Sequence, residues 1–159
     1  MSGVIPNTIC NLTKLETFRL WELNLSGTIP ECIGNELQNL IDFELGYLKY
    51  LNASIPASFN NLTHLEVLVF EQLPLLTGII HTPLMANNNF TAVDISNVSL
   101  SGQLHMSALC SNDNNLQHLY IGYNDKLTVN ISDCKHPLSQ LIDLWIDDST
   151  TSTSSFSST

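Results

Sequence analysis

Between Leu12 and Pro30 the apolar residues fall at Leu12, Leu15, Phe18, Leu20, Leu23 and Leu25, ahead of Ser26-Gly27-Thr28-Ile29-Pro30. Spacings of 3, 3, 2, 3 and 2 match neither a helical period nor the strict alternation of a long strand. They predict a short strand centred on Phe18-Arg19-Leu20, with a turn on each side. A unit this short cannot bury its apolar side alone and needs a neighbour of the same kind.

The neighbours are in the chain. Residues 37–61, 62–86, 87–112 and 113–137 lie in register under residues 12–36; residues 138–148 begin another unit, and residues 3–11 end an earlier one. The period runs 25, 25, 25, 26 and 25, which predicts a solenoid. Its strand cores are Phe18-Arg19-Leu20, Phe43-Glu44-Leu45, Leu68-Val69-Phe70, Val93-Asp94-Ile95, Leu119-Tyr120-Ile121 and Leu144-Trp145-Ile146. Alternation sends the outer two residues of each core inward and the middle one outward. One strand per unit then stacks into a parallel sheet. Both ends of the chain fall inside a repeat without a polar cap, so the expectation is a piece of a longer protein or a poorly stable isolated unit. Residues 1–148 form the expected solenoid. From Ser149 the sequence STTSTSSFSST cannot build a core, and residues 149–159 are expected to be a disordered tail or an O-glycosylated stalk.

In register, the units show L-x-x-L-x-L followed by L-S-G-x-I-P, carried by LNLSGTIP (23–30), LNASIP (51–56), LLTGII (75–80), VSLSGQL (98–104) and the remnant GVIP (3–6). This resembles the plant-type extracellular leucine-rich repeat over residues 3–148. The resemblance implies an α/β-type leucine-rich repeat solenoid dominated by β-structure. Its parallel sheet would form the concave face, with short 3-10 or irregular segments on the convex face. The family builds the extracellular parts of receptor-like kinases and receptor-like proteins, and also polygalacturonase-inhibiting proteins. One departure stands out. The family places Asn after the strand, where its amide bonds to neighbouring backbones, whereas this chain has Leu23, Leu48, Leu73 and Val98 and keeps only Asn124. The carbonyls left over are expected to find water or one another, which puts regular curvature in doubt.

Fifteen acidic against five basic residues give a net charge of -10. This argues against nucleic acid and anionic membranes as partners and suits a basic or neutral one. No apolar run reaches the ~18–20 residues of a membrane span, because Glu71, Pro74 and His81 interrupt the most apolar region. Seven Asn-X-Ser/Thr sequons stand at Asn11, Asn24, Asn52, Asn61, Asn89, Asn97 and Asn130. That is more than twice the roughly three that 17 Asn and 30 Ser or Thr in 159 residues give by chance. The repeat itself favours some of them, but the excess points to the secretory pathway and an extracellular or cell-surface location. No leader is visible in MSGVIPNTIC, so that route implies a longer precursor. Cys10 and Cys32 are 22 residues apart, and Cys110 and Cys134 are 24 apart, each pair on adjacent repeats. Either pair could be a disulfide in a secreted chain or a pair of buried thiols. Without a C-x-x-C pattern, no metal site is implied.

Catalytic motifs are missing: there is no G-x-S-x-G, H-E-x-x-H, phosphate-binding glycine loop or kinase signature. The five histidines fall at unrelated repeat positions, and the adjacent Asp147 and Asp148 do not suit a glycosidase pair. The sequence is therefore read as a non-enzyme with no cofactor. The outward strand positions carry eight of the 15 acids, one of the five bases, both Trp and three of the four Tyr. Flat aromatic area with selective charge suits a recognition surface. Its candidate residues are Arg19, Trp21, Glu22, Glu44, Tyr47, Glu71, Asp94, Tyr120, Tyr123, Trp145 and Asp147. The expected function is a protein- or ligand-binding module, part of a receptor-like ectodomain sensing a peptide, possibly basic, or a glycan. The alternative is a soluble inhibitor of a basic secreted hydrolase, resembling polygalacturonase-inhibiting proteins. A regular ice-binding face is disfavoured because one outward column reads Thr17, Asp42, Val67, Ala92, His118, Asp143.

Overall fold

The computed structural model describes residues 2–87, 89–105, 115–130, 140–146 and 151–152. Six short strands, Thr17–Trp21, Asp42–Gly46, Val67–Glu71, Ala92–Asp94, His118–Tyr120 and Asp143–Trp145, pair in parallel in chain order as one front sheet. The register runs Phe18, Phe43, Leu68, Val93, Leu119, Leu144 without a slip. The single 26-residue step is absorbed outside the strands.

Inward side chains fill the core. Phe43, Leu45, Phe70, Val93, Ile95, Leu119 and Ile121 are fully buried. Phe43 is the centre of this packing: Phe18 stacks on it at 5.1 Å, and Phe59 and Phe70 meet it edge-on at 5.0 and 5.9 Å. The aromatic contacts thus join three consecutive repeats. Two inward expectations fail at the sheet's ends. Leu12 is 51 % exposed because the remnant before it supplies no matching strand, and Leu144 is 37 % exposed on the last strand.

The Leu-Ser-Gly segments are more than turns. Ser2–Val4, Asn24–Gly27 and Tyr50–Leu51 form a three-stranded sheet. Ala53–Ser54, Leu73–Gly78, Val98–His105, Lys126–Asn130 and Thr151–Ser152 form a five-stranded one, all neighbours parallel. Thr151–Ser152 lies in the segment expected to be disordered. It pairs in parallel with Thr128 and Val129, and backbone pairing is something composition does not reveal. The return segments are 3-10 helices at Asn7–Asn11 and Ala57–Asn61 and short α-helices at Cys32–Glu36 and Thr82–Met85. Cys10 and Cys32 join the first two return segments as a disulfide, with Cα atoms 5.9 Å apart. Cys110 and Cys134 lie outside the described residues.

The chain leaves the front sheet through a residue of positive φ in five successive repeats: Glu22, Tyr47, Gln72, Asn97 and Tyr123, at 52° to 58°. Their amides reach across to the next repeat, Glu22 N to Gly46 O (3.1 Å), Tyr47 N to Glu71 O (2.9 Å), Gln72 N to Ser96 O (3.2 Å) and Asn97 N to Gly122 O (2.9 Å). The sequence expectation has the carbonyls beside Leu23, Leu48, Leu73 and Val98 finding water or one another, and these bonds supply backbone N–H partners instead. The neighbouring backbone serves them, and Leu48, Leu73 and Val98 are free to join the core. Asn124 is fully buried and donates to Ile95 O and Gly122 O at 2.5 and 3.2 Å.

A second ladder runs at the turns before three successive strands, Asp42–Gly46, Val67–Glu71 and Ala92–Asp94. Asn39 donates to Thr13 O (2.8 Å), Asn89 donates to Thr63 O (2.7 Å), and His64 Nδ1 meets Gln38 O (3.1 Å). A carbonyl only accepts, so His64 carries its proton on Nδ1 there. His64 thus shares a repeat position with two asparagines.

Replacing Phe43 with Ala would empty the aromatic junction of three repeats and should cost roughly 3–5 kcal/mol. Leu12→Ala, at an exposed position, should change stability by under about 0.5 kcal/mol. Urea unfolding followed by circular dichroism checks both.

Candidate functional site

Alternation places two columns across the front sheet. One runs Thr17, Asp42, Val67, Ala92, His118, Asp143, and the other Arg19, Glu44, Val69, Asp94, Tyr120, Trp145. The corner residues Tyr47 and Tyr123 fold back beside them.

At one end, Arg19 is held between two carboxylates. Its guanidinium donates to both oxygens of Asp42 and lies 3.2 Å from Glu44. The hydrogen bond to Asp42, then the charges of Asp42 and Glu44, raise the Arg19 pKa above its ordinary value. Trp21 donates its indole N–H to Glu44 (3.0 Å) and lies 5.8 Å from the Tyr47 ring. Gly46 makes room for this: a Cβ there would collide with the Trp21 indole. Tyr47 donates to Glu71 at 2.8 Å, and that bond, with the charge behind it, raises the tyrosine's pKa.

At the other end, His118 Nδ1 lies 2.9 Å from Asp143 and Tyr120 donates to the same oxygen at 3.3 Å. Burial first, and then the Asp143 charge, raise the Tyr120 pKa. Tyr123 meets Trp145 edge-on at 5.2 Å, leaving both rings exposed. Val67, Val69 and Ala92 form a half-buried apolar stretch between the two ends.

Asp94 borders that stretch. Ser96 donates to it through both N–H (2.9 Å) and Oγ (2.5 Å). Burial nevertheless raises its pKa above the ordinary value, and Glu71 adds to the shift. Glu71 and Asp94 make no salt bridge among the described residues.

The structure therefore gathers Arg19, Trp21, Glu44, Tyr47 and Glu71 into one group and Tyr120, Tyr123 and Trp145 into another. Asp94 lies between them. Glu22 is exposed at its corner, and Asp147 lies outside the described residues. Sequence reasoning left Asp42, His118 and Asp143 out of the candidates. All three sit in the outward column that begins at Thr17, which was the available signal. Of the sequon residues, Asn11, Asn24, Asn52, Asn61 and Asn89 are exposed and Asn97 is half-buried. Asn130 ends the strand Lys126–Asn130. No described group of His, Cys, Asp and Glu could hold a metal. No described helix is long and apolar enough to cross a membrane.

Asp94→Asn keeps an acceptor for Ser96 and removes a charge beside Glu71. A raised carboxyl pKa in the folded state makes stability fall as pH rises from the ordinary value of about 3.9 through the raised one. The variant should therefore be more stable than the parent at pH 7, and the gap should close as pH falls below that window. Thermal unfolding across pH 3 to 8 measures it.

No protein-family model and no curated protein matches the sequence. Solved structures do. The leucine-rich repeat ectodomain of the Arabidopsis receptor kinase HAESA, in complex with an N-terminally extended IDA peptide hormone ligand, is 29 % identical. That match covers 92 % of this chain and 24 % of HAESA, at a TM-score of 0.73. The plant peptide hormone receptor RGFR1 in complex with RGF2 is 29 % identical over 88 % of this chain and 22 % of its own, at 0.71. The ectodomain of the receptor kinase SOBIR1 from Arabidopsis thaliana shares the fold at 0.70 and 21 % identity, covering 79 % of this chain and 65 % of that one. The chain thus spans about a quarter or less of the first two. These neighbours are receptor ectodomains, so the reading of the chain as a non-enzyme stands. Repeat period, sheet register and these likenesses give the chain the leucine-rich repeat solenoid fold and make it similar to the ectodomains of plant receptor kinases.

Proposed function

We propose that the chain is the ligand-binding part of a receptor-like ectodomain and that its front sheet takes an extended peptide carrying a basic side chain. The observation that carries this is the pair of aromatic–carboxylate groups at the two ends of the sheet. Tyr47 and Tyr123 stand three repeats apart, which at ~4.8 Å per strand is about 14 Å. An extended peptide of four or five residues, at ~3.3–3.6 Å each, spans that distance. The apolar stretch at Val67, Val69 and Ala92 would lie under its middle.

Charge selects the ligand. Arg19, the only base in the outward positions, is already held by Asp42 and Glu44, while Glu71 and Asp94 have no described cation. A ligand Lys or Arg would relieve that repulsion. HAESA and RGFR1, each solved with a peptide ligand, support a peptide over a glycan.

The extracellular location belongs to the same proposal. A disulfide between Cys10 and Cys32 suits an oxidising compartment. Five of the sequon asparagines, Asn11, Asn24, Asn52, Asn61 and Asn89, are exposed off the front strands, where glycans would leave the peptide face open.

Peptides selected from a random library on this chain should be enriched in Lys and Arg. Trp145→Ala and Tyr120→Ala should each lower their affinity at least about tenfold, ~1.4 kcal/mol, with an unchanged circular dichroism spectrum. Binding that survives both substitutions would show that the front face is not the site.

A further inference from the structure

One sequon differs from the others in where it stands. Asn97 is the corner residue of its repeat, at a φ of 52°, in the same column as Tyr47 and Tyr123. It lies three residues after the front strand Ala92–Asp94, whereas Asn11, Asn24, Asn52, Asn61 and Asn89 lie on return segments, on or between back strands, or at the turn before the front strand. Its side chain is half-buried, and among the described residues its amide donates no side-chain hydrogen bond. The Asn89 amide, by contrast, is already spent on Thr63 O.

Asn97 and Tyr123 also share one shallow cavity at the margin of the front sheet, with Pro74, Ser99, Asp125 and Lys126 on its walls. Adjacent repeats are ~4.8 Å apart, about the width of a pyranose ring. A sugar on the Asn97 amide nitrogen therefore comes against the neighbouring Tyr123, whose ring offers an apolar face to the sugar's C–H groups. Tyr123 in turn packs edge-on to Trp145, which shares a strand pair with Tyr120.

We propose that Asn97 carries an N-linked glycan that lies over Tyr123, so that occupancy of this one sequon regulates how much of the Tyr120–Tyr123–Trp145 group a peptide can reach. The bond formed joins the Asn97 amide nitrogen to C1 of the first N-acetylglucosamine, transferred from a lipid-linked oligosaccharide with release of the lipid diphosphate. This rests on the secretory route proposed above. It adds to that reading a switch on the site itself: the glycosylated form has a covered end, and the bare form offers both ends.

The test needs no known ligand. The chain is secreted from plant cells, and its glycopeptides are mapped by mass spectrometry. The surface tyrosines are then iodinated and their rates followed peptide by peptide. Asn97 should be occupied, and Tyr123 should react several-fold more slowly than in Ser99→Ala, which lacks the sequon. Ser99 donates its hydroxyl to Pro74 O at 2.8 Å, so two controls separate the sugar from that contact. Ser99→Thr should retain both glycan and protection, and enzymatic removal of glycans from the folded parent should expose Tyr123. Glycans at other sequons with Asn97 bare, or equal Tyr123 rates with and without the sugar, would overturn this proposal alone. A secreted chain bare at every sequon would overturn the secretory reading with it.

Discussion

Everything on the front sheet depends on how the backbone leaves it. At each corner a residue with a side chain adopts the left-handed conformation, which costs roughly 1–2 kcal/mol relative to the right-handed one. The corner amide then bonds to the next repeat, at 2.9 to 3.2 Å in four successive units. Glycine would reach the same φ without the cost, yet the five corners hold Glu22, Tyr47, Gln72, Asn97 and Tyr123. The side chains explain why. Two of the five are tyrosines, and Tyr47 and Tyr123 turn from their corners back onto the face they leave and complete the aromatic groups. Strain retained at such positions points to use of the side chain.

The same corners account for the chain's departure from the family pattern. A ladder of buried asparagines is one way to serve the carbonyls at a repeated bend. Here the corner amides of the preceding repeats serve Gly46, Glu71, Ser96 and Gly122. The position that follows is relieved of polar duty, and Leu48 and Leu73 are fully buried there. Asn124 keeps the older arrangement in a single unit. Polar satisfaction moves instead to the turn before the strand, where Asn39, His64 and Asn89 hold the preceding repeat.

The front sheet was legible in the sequence because its two signals are local and periodic: alternation within a strand, and a spacing near 25 that repeats it. Thr17 through Trp145 could be placed in columns before any coordinates. The three-stranded back sheet was not legible, since Asn24–Gly27 and Tyr50–Leu51 are held by backbone pairing between repeats and are too short to show an apolar alternation of their own. Corner bonds were missed for the same reason: a backbone amide has no letter in the sequence. Of the site, the residue types could be read but not their pairings. Arg19 looked like a contact for a ligand, whereas its guanidinium is bound within the sheet by Asp42 and Glu44.

That last pairing changes the electrostatics of the face more than its net charge does. An arginine tied to two carboxylates offsets one of the two negative charges at its own end of the sheet and commits its Nε and Nη2 to Asp42 and Glu44. Further along, burial first and the Glu71 charge after it raise the Asp94 pKa although Ser96 donates to it twice, so local hydrogen bonds do not offset the loss of solvent around the carboxylate. The face is therefore graded, from an internally compensated end at Arg19 and Trp21, through an uncompensated centre at Glu71 and Asp94, to a mixed aromatic end at His118 and Trp145. For the extended peptide proposed above, a gradient of this kind would set a direction, with a cation at the centre, an apolar group over Val69 and a flat or ring-shaped group beside Tyr123. Recognition on that proposal would depend on the order of side chains along the peptide and not on its total charge alone.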